Sequence, residues 1–302
     1  MADVQLANLV QMDSPAAVLD EALFILDRFF PHSDPSALQT AFHETVSLYQ
    51  GQWDRIRGCN TEYHDLKHVT DCFLAMARLL HGAAETGIAF SSRQIHQGLV
   101  AALLHDTGYL QGDGDKEGTG AKYTDCHVRR SMDFLRRHHS VFGLQAVELE
   151  DCRTMIFCTD INRDPASIAF SDKTVEQMGK ILATADILAQ MADRTYLEKL
   201  LFLYYELDEA HIHIFTDEID LLMHSNDFCA RMADRFQNQL SSANRFMIHH
   251  FKTRWAIDAD LYRQAIEKQQ DYLSNVLADV GDDPRIRLRR QRIVEKVRKK
   301  HP

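Results

Sequence analysis

The stretch YHDLKHVTD, residues 63 to 71, places His64, His68 and Asp71 at the spacing of successive helical turns. Residues three and four apart lie on one face of an α-helix, so these side chains would point the same way. A helix normally buries one face against the core, where an unpartnered ionisable group costs free energy. Imidazoles and a carboxylate gathered in this way suit metal binding or acid and base chemistry.

Two further stretches add groups of the same kind. In ALLHDTGY, residues 102 to 109, an apolar run ends in the adjacent His105 and Asp106, whose side chains can converge at a helix end. In ILATADILAQMADRTY, residues 181 to 196, Asp186 interrupts an apolar helical face, where a carboxylate is costly unless it is paired or ligates a metal. Histidine nitrogens beside aspartate oxygens suit divalent metals, and histidine favours the transition metals.

Each of these residues alone has a common alternative explanation, since buried histidines are usually satisfied in the core and helical aspartates usually face solvent. Their order is more specific. A His, a His-Asp pair 37 residues later and an Asp on an apolar helix give the arrangement H…HD…D, by which the chain resembles the HD phosphohydrolase superfamily. The resemblance implies an all-α, multi-helix bundle of the HD-domain type.

Within that superfamily the chain is most similar to the catalytic domains of 3′,5′-cyclic nucleotide phosphodiesterases. Their signature begins Tyr-His-Asn, followed by His after two residues and Asp after two more, and YHDLKHVTD differs from it at Asp65. The segment IFCTDIN, residues 156 to 162, is similar to their Thr-Asp-Met segment at Thr159 and Asp160. The resemblance covers roughly residues 60 to 205.

The resemblance implies a metal centre with two divalent ions from among Zn, Mn, Fe and Mg. The matching ligands of the first metal are His68, His105, Asp106 and Asp186. Asp106 also matches the carboxylate that bridges to the second metal. His64 matches the general acid, and Asp65, Asp160 and several glutamates are alternative partners for it.

Other matching positions surround the second metal. Thr159 and Asp160 match residues around its waters, and either Asp125 or His127 would supply the remaining contact or ligand.

The chain also departs from the family pattern. The phosphodiesterases usually continue the His-Asp pair with an Asp and a His two and three residues beyond it, where this chain has Gly108 and Tyr109. The pattern therefore lacks one contact to the water shell of the second metal. No residue is matched to substrate binding.

The implied groups fit phosphodiester hydrolysis. Two metals lower the pKa of a water between them and neutralise phosphoryl oxygens, while a protonated His64 can donate to the leaving oxygen. The prediction is a phosphodiesterase whose small-molecule partner is a cyclic nucleotide or a similar phosphodiester. The alternatives are a nucleotidase or phosphomonoesterase of the same superfamily, and a nucleotide-sensing module without catalysis.

Composition restricts the other function classes. A chain of 302 residues with 45% hydrophobic residues can bury an ordinary core, and no apolar stretch approaches the length of a membrane span. The net charge of −10 disfavours nucleic acid as a partner. The six cysteines form no CxxC pair and the first residues resemble no targeting segment, so a cytoplasmic protein with reduced thiols is expected.

One segment is strongly basic. Residues 285 to 300 carry nine Lys and Arg against Glu295. We expect this segment to form a helix that packs on the acidic body of its own or a neighbouring chain, which would allow a homo-oligomer; the alternative is binding to nucleic acid or an anionic surface.

Helical periodicity, with only 6 Pro and 13 Gly, predicts an almost entirely α-helical chain. The expected helices are 15 to 30, 35 to 50, 65 to 81, 92 to 106, 123 to 139, 144 to 160, 173 to 191, 194 to 208, 216 to 241, 243 to 256, 259 to 277 and 284 to 299. They would form one domain over residues 1 to 302, with an HD core at about 60 to 205. N-terminal helices at about 14 to 55 and a C-terminal helical region at about 216 to 300 would pack on that core.

Local signals mark several helix ends. Ser14 and Asp34 each precede a proline and are predicted to be N-caps. Gly51, Gly82 and Gly143 are predicted to end helices or to form turns.

Overall fold

A computed structural model of the protein describes residues 4–30, 35–278 and 283–301. Within these ranges the chain forms fourteen α-helices and short 3-10 turns, and it contains no β-strand, so the all-α prediction is confirmed. The helices are α1 (Leu6–Leu9), α2 (Pro15–Phe29), α3 (Pro35–Tyr49), α4 (Leu66–Glu85), α5 (Ser92–Leu104), α6 (His127–His138), α7 (Leu149–Phe157), α8 (Lys173–Met191), α9 (Tyr196–Glu209), α10 (Glu218–Met223), α11 (Ser225–Asn238), α12 (Phe246–Trp255), α13 (Leu261–Leu277) and α14 (Ile293–Lys300).

Helix α4 is the central element of the bundle. It packs on α2, α5, α8 and α12, and every residue from His68 to Ala83 is buried. A helix enclosed on all sides is mostly apolar, and each polar side chain on it needs a partner within the protein. His68, Asp71, Arg78 and His81 are the acidic and basic residues in this buried stretch, and they determine which polar groups the neighbouring helices must supply.

The start of α4 explains the difference from the phosphodiesterase signature at Asp65. Asp65 is the N-cap of α4, and its carboxylate accepts a hydrogen bond from the backbone N–H of His68 at 2.8 Å. Asp and Asn serve as N-caps about equally well, so either residue can begin this helix. The carboxylate also forms an ion pair with Lys199 of α9 at 3.0 Å.

Several predicted helix ends are confirmed and one is wrong. Ser14 accepts a hydrogen bond from the backbone N–H of Ala17, as an N-cap does. Gly51 and Gly143 adopt left-handed φ values of 74° and 69° in turns. The prediction of a stop at Gly82 is wrong because α4 continues to Glu85; a Cβ at Gly82 would overlap the backbone carbonyl of Phe246, so this glycine permits close packing of α12. Asp34 lies outside the described residues.

The predicted boundaries are right for α8, which spans Lys173–Met191, and wrong for two helices in the C-terminal third. The predicted helix 216 to 241 is two helices, α10 and α11, with His224 between them. The predicted helix 284 to 299 is helical from Ile293 onward, after 3-10 turns in which Gln291 and Arg292 have positive φ. Helix α1 was not predicted.

The basic segment packs on the body of the same chain, as predicted. Ile293, Val294 and Val297 of α14 are buried. Arg285 forms an ion pair with Glu218 at 2.6 Å, and Lys300 forms one with Glu62 at 3.3 Å. Buried hydrophobic side chains from Leu6 to Val297 form one connected cluster; the division into an HD core and flanking regions stays a prediction. Among the described helices, none has the length and apolar character needed to cross a membrane.

A contact between two buried histidines joins α4 to α12. His81 Nδ1 and His250 Nδ1 lie 2.8 Å apart, and both side chains are fully buried. One imidazole must donate and the other accept, so the accepting ring must be neutral and a proton on both rings would break the bond. Burial lowers the pKa of His81 to about 4, and burial with the nearby Arg78 places the pKa of His250 well below its ordinary value.

This histidine pair predicts acid sensitivity of the fold. Above pH 6.5 the imidazoles are neutral in both folded and unfolded chains; between pH 6.5 and 4 the unfolded chain gains protons that the folded chain cannot accept. Lowering the pH from 7.5 to 5 should therefore reduce the unfolding free energy of the native protein by about 2 kcal/mol or more beyond the loss in the double variant H81F/H250L. Urea unfolding at both pH values measures this difference. A change at the exposed His213, H213Q, is the control; equal losses in all three proteins would contradict the prediction.

Candidate metal centre

Four side chains named from the sequence meet where three helices come together. His68 lies in the first turn of α4, His105 is the C-cap of α5, and Asp106 follows it. The chain leaves the helix at this point, so the adjacent His and Asp can face the same position. Asp186 reaches it from the middle of α8.

The distances between the potential ligand atoms are short and similar. His68 Nε2 lies 3.2 Å from His105 Nε2, 3.3 Å from Asp106 Oδ2 and 3.1 Å from Asp186 Oδ1. His105 Nε2 lies 3.4 Å from the same atom of Asp106 and 3.6 Å from that of Asp186. Four ligands placed tetrahedrally at ordinary metal distances would be about 3.3 Å apart. The buried cluster of His68, His105 and Asp106 can therefore hold a metal ion, with Asp186 at its edge.

Two further details fit a cation at this position. Asp106 Oδ2 is buried and has no hydrogen-bond partner, which is costly for a carboxylate oxygen unless a cation faces it. His105 Nδ1 lies 2.8 Å from the carbonyl oxygen of Ala102 and donates its proton there. This bond leaves the lone pair of His105 on Nε2, the atom that faces the cluster.

The electrostatics of the cluster show the same need for positive charge. Burial lowers the pKa of His68, but the carboxylates of Asp106 and Asp186 outweigh it and raise that pKa to about 10. They raise the pKa of His105 as well. Burial raises the pKa of both aspartates, and the facing imidazoles more than offset it, so both pKa values fall below the ordinary range. Without a metal the cluster holds protons in its place, and a divalent cation would displace them.

Asp186 is held by a chain of hydrogen bonds that the sequence did not reveal. Gln190, one turn later on α8, donates its side-chain amide to Asp186 Oδ1 at 2.8 Å. The Gln190 carbonyl oxygen accepts a hydrogen bond from the Tyr63 hydroxyl at 3.2 Å. These contacts orient the carboxylate toward the histidines, as partners of metal ligands commonly do.

An ion-pair network lies behind His68 and fixes the start of α4. Lys67 pairs with Asp71 and, at 3.3 Å, with Asp193 at the end of α8. Lys199 lies 3.8 Å from Asp193. Asp71 of the opening motif is therefore a partner of Lys67, and the network ties α4 to the turn between α8 and α9.

The positions matched to the second metal are not all brought together. His127, the first residue of α6, has Nε2 3.7 Å from Asp106 Oδ1, while its Nδ1 donates to the carbonyl oxygen of Thr124 at 2.6 Å. Burial lowers the pKa of His127, which keeps the ring in the neutral form that ligates metals. Asp125 is exposed. Of the two alternatives, the structure brings His127 to the cluster.

Thr159 and Asp160 make their contacts within their own turn. Thr159 donates to the carbonyl oxygen of Ile156 at 2.8 Å, and Asp160 accepts from the backbone N–H of Asn162 at 3.0 Å. The turn is held by the guanidinium of Arg235, which donates to three of its carbonyl oxygens. These contacts give both residues a local structural role.

His64 lies beside the cluster and has a carboxylate partner of its own. Its ring centroid is 6.2 Å from that of His68, and its Nδ1 is 2.8 Å from Glu206 Oε2. The other oxygen of Glu206 accepts from the backbone N–H groups of Glu62 and Tyr63, both at 2.8 Å. Glu206 therefore fixes the backbone before α4 and the His64 ring together, with Nε2 left as the second ring nitrogen.

Glu206 is the main residue that the sequence interpretation missed. Asp65 and Asp160, the named alternatives, are occupied elsewhere. The segment FLYYEL, residues 202 to 207, is apolar and aromatic except for one acid, Glu206, which is buried. Such an acid requires a polar partner, and that requirement was the available signal. Gln190 had a weaker signal, its position four residues after Asp186 on the same helix.

The fold and the site define an all-helical protein with a buried His–His–Asp cluster that can hold a metal ion. Residues 114–240 match the model of a protein family described as Npun_R2479-like. This stretch contains His127, Asp186 and Glu206 and begins after the other residues of the cluster. No curated protein and no solved structure matches the chain.

The cluster predicts that a divalent metal stabilises the fold. A ligand that binds only the folded chain adds about 2.7 kcal/mol at 100 times its Kd, which corresponds to a rise in Tm of roughly 4 °C for a chain of this length. Protein treated with EDTA and then given Mn²⁺ should show this rise in a thermal melt. The variant D106N should lose it, and D125N, at an exposed aspartate, should keep it. A rise that persists in D106N would contradict binding at this cluster.

Proposed function

We propose that the protein is a metal-dependent phosphohydrolase of the HD type, most similar in its chemistry to a phosphodiesterase that acts on a cyclic nucleotide or a related small phosphodiester. The observation that carries the proposal is the separation of two groups in one site. Four potential metal ligands converge on each other, while His64 bonds to Glu206 and to none of them. A purely structural metal site has no need of such a neighbouring imidazole and carboxylate pair.

The proposal assigns metal binding to five residues. His68, His105, Asp106 and Asp186 would hold the first divalent ion. Asp106 would be shared with a second ion, for which His127 is the candidate ligand. Divalent ions at these positions would supply the activated water and neutralise charge on the phosphoryl oxygens. The acidic composition of the chain is compatible with an anionic substrate on these terms, because the cations attract it.

His64 has the arrangement of a general acid. Glu206 holds a proton on Nδ1, so Nε2 is the nitrogen that can exchange a proton with the substrate. The side chain is 12% exposed, which leaves an approach for a small molecule while the rest of the ring is enclosed. Donation from Nε2 to the departing oxygen would be needed most when the leaving group is a poor one, such as a sugar hydroxyl.

The substrate class is tested with a panel of phosphoesters. Purified protein with Mn²⁺ or Mg²⁺ is assayed against cyclic AMP, cyclic GMP, bis(p-nitrophenyl) phosphate and nucleoside monophosphates, with D106N as the inactive control. Turnover of a diester supports the proposal. Turnover of monoesters alone would identify a phosphomonoesterase or nucleotidase, and inertness toward the whole panel with metal bound would favour a sensing module.

The role of His64 gives a second prediction on the same substrates. H64Q should lower kcat by roughly 10² for the diester with a poor leaving group, because general-acid help has about that value, and far less for the p-nitrophenyl ester. E206Q should lower it in the same direction by a smaller factor. H213Q, at an exposed histidine, is the matched control. Equal losses on both substrates in H64Q would show that His64 acts in another way.

A further inference from the structure

Tyr109, which stands where the phosphodiesterases usually have His, contacts both histidines that flank the metal cluster. Its ring centroid lies 4.3 Å from that of His64, with 14° between the planes, and 4.6 Å from that of His127, with 21° between the planes. Both contacts are near-parallel stacks. Tyr109 itself is 2% exposed.

The two imidazoles lie on the same face of the Tyr109 ring. Rings on opposite faces, each at a contact distance of about 3.5 Å, would have centroids about 7 Å apart or more. The centroids of His64 and His127 are 6.2 Å apart. The phenol ring is therefore a flat platform with both imidazoles side by side on one surface.

The backbone on either side of Tyr109 is held by the first turns of α6. Ser131 accepts a hydrogen bond from the backbone N–H of Gly108 at 2.8 Å, and Arg130 donates to the carbonyl oxygens of Gly108 and Leu110 at 2.7 and 2.9 Å. A Cβ at Gly108 would overlap the backbone carbonyl of His127. Gly108 lets the first turn of α6 approach, and Tyr109 supports His127, which this turn carries. The two departures from the family pattern are thus linked.

The stacking also determines where His64 can donate. Its Nε2 is 3.4 Å from the Tyr109 hydroxyl oxygen, but the two rings are nearly parallel and an imidazole N–H lies in the plane of its own ring. The bonding direction of Nε2 therefore points past the hydroxyl. The phenol face, rather than its hydroxyl, is the part of Tyr109 that acts on His64.

We propose that Tyr109 is a positioning residue whose ring face sets the orientation and spacing of His64 and His127. Its kinetic consequence rests on the proposed function, in which His64 is the acid and His127 approaches the second metal. Loss of the face leaves His64 held by Glu206 and by an edge contact with Tyr63, with no ring stacked on it. A misplaced catalytic group can cost up to about 10² in rate.

The structural part of the proposal is tested without any substrate. The ring protons of His64 and His127 are assigned by NMR with H64Q and H127Q, and are compared in the native protein, Y109F and Y109L. A stacked aromatic ring shifts these signals upfield, so Y109L should move both sets downfield together, while Y109F leaves them in place. If neither set of histidine signals moves in Y109L, or if only one set moves, the platform is overturned. Y204L, which removes a tyrosine that stacks on neither histidine, is the control for a general loss of packing.

The kinetic part uses the two diesters with poor and good leaving groups. Y109L should lower kcat for the diester with the poor leaving group roughly 10-fold or more beyond its effect on kcat for the p-nitrophenyl ester. Y109F should keep the ratio of these two kcat values at that of the native protein. Y109L should also raise the Mn²⁺ concentration needed for half-maximal rate, because His127 is displaced. An unchanged ratio in folded Y109L would overturn the proposal. If the native protein cleaves no ester, the proposed function has failed, and the NMR comparison still decides whether Tyr109 is a platform.

Discussion

Two carboxylates and two imidazoles are buried together where α4, α5 and α8 meet, with the nearest nitrogens and oxygens 3.1 to 3.6 Å apart. Such a group is stable in a protein interior only when protons or a cation balance its charge. It lies at the start of α4, a helix that is otherwise enclosed by mostly apolar packing. The N-cap at Asp65, the ion pairs around Lys67 and the hydrogen bond from Gln190 all serve to fix the groups of this cluster.

A second arrangement lies beside the cluster and depends on it. His64 stands one turn before His68 and is held at two places, through its Nδ1 by Glu206 and through its ring face by Tyr109. Neither anchor binds Nε2, so the imidazole ring is fixed in orientation while this nitrogen stays free. The cluster takes Asp186 from α8, and His64 takes its partner Glu206 from α9. The ion pairs of Lys199 tie these two helices to the start of α4.

The sequence predicted the parts that local rules determine. Asp186 stood out because an acid interrupts an apolar helical face, and the boundaries of α8 followed from a periodic run. His105 and Asp106 could be placed at a helix end since adjacent residues converge only there. Contacts between distant segments could not be predicted in this way: Glu206 meets His64 across 142 residues, and the helix continues through Gly82 because α12 packs closely against it.

The central claim is that the cluster binds a divalent metal, and anomalous diffraction from crystals grown with Mn²⁺ tests it most directly. The account predicts a strong peak within ordinary ligand distance, about 2.0 to 2.3 Å, of His68, His105, Asp106 and Asp186, and a second peak between Asp106 and His127 under saturating metal. The same experiment on D106N should remove both. The absence of any peak at these side chains in the native protein, with Mn²⁺ present in excess, would contradict the account.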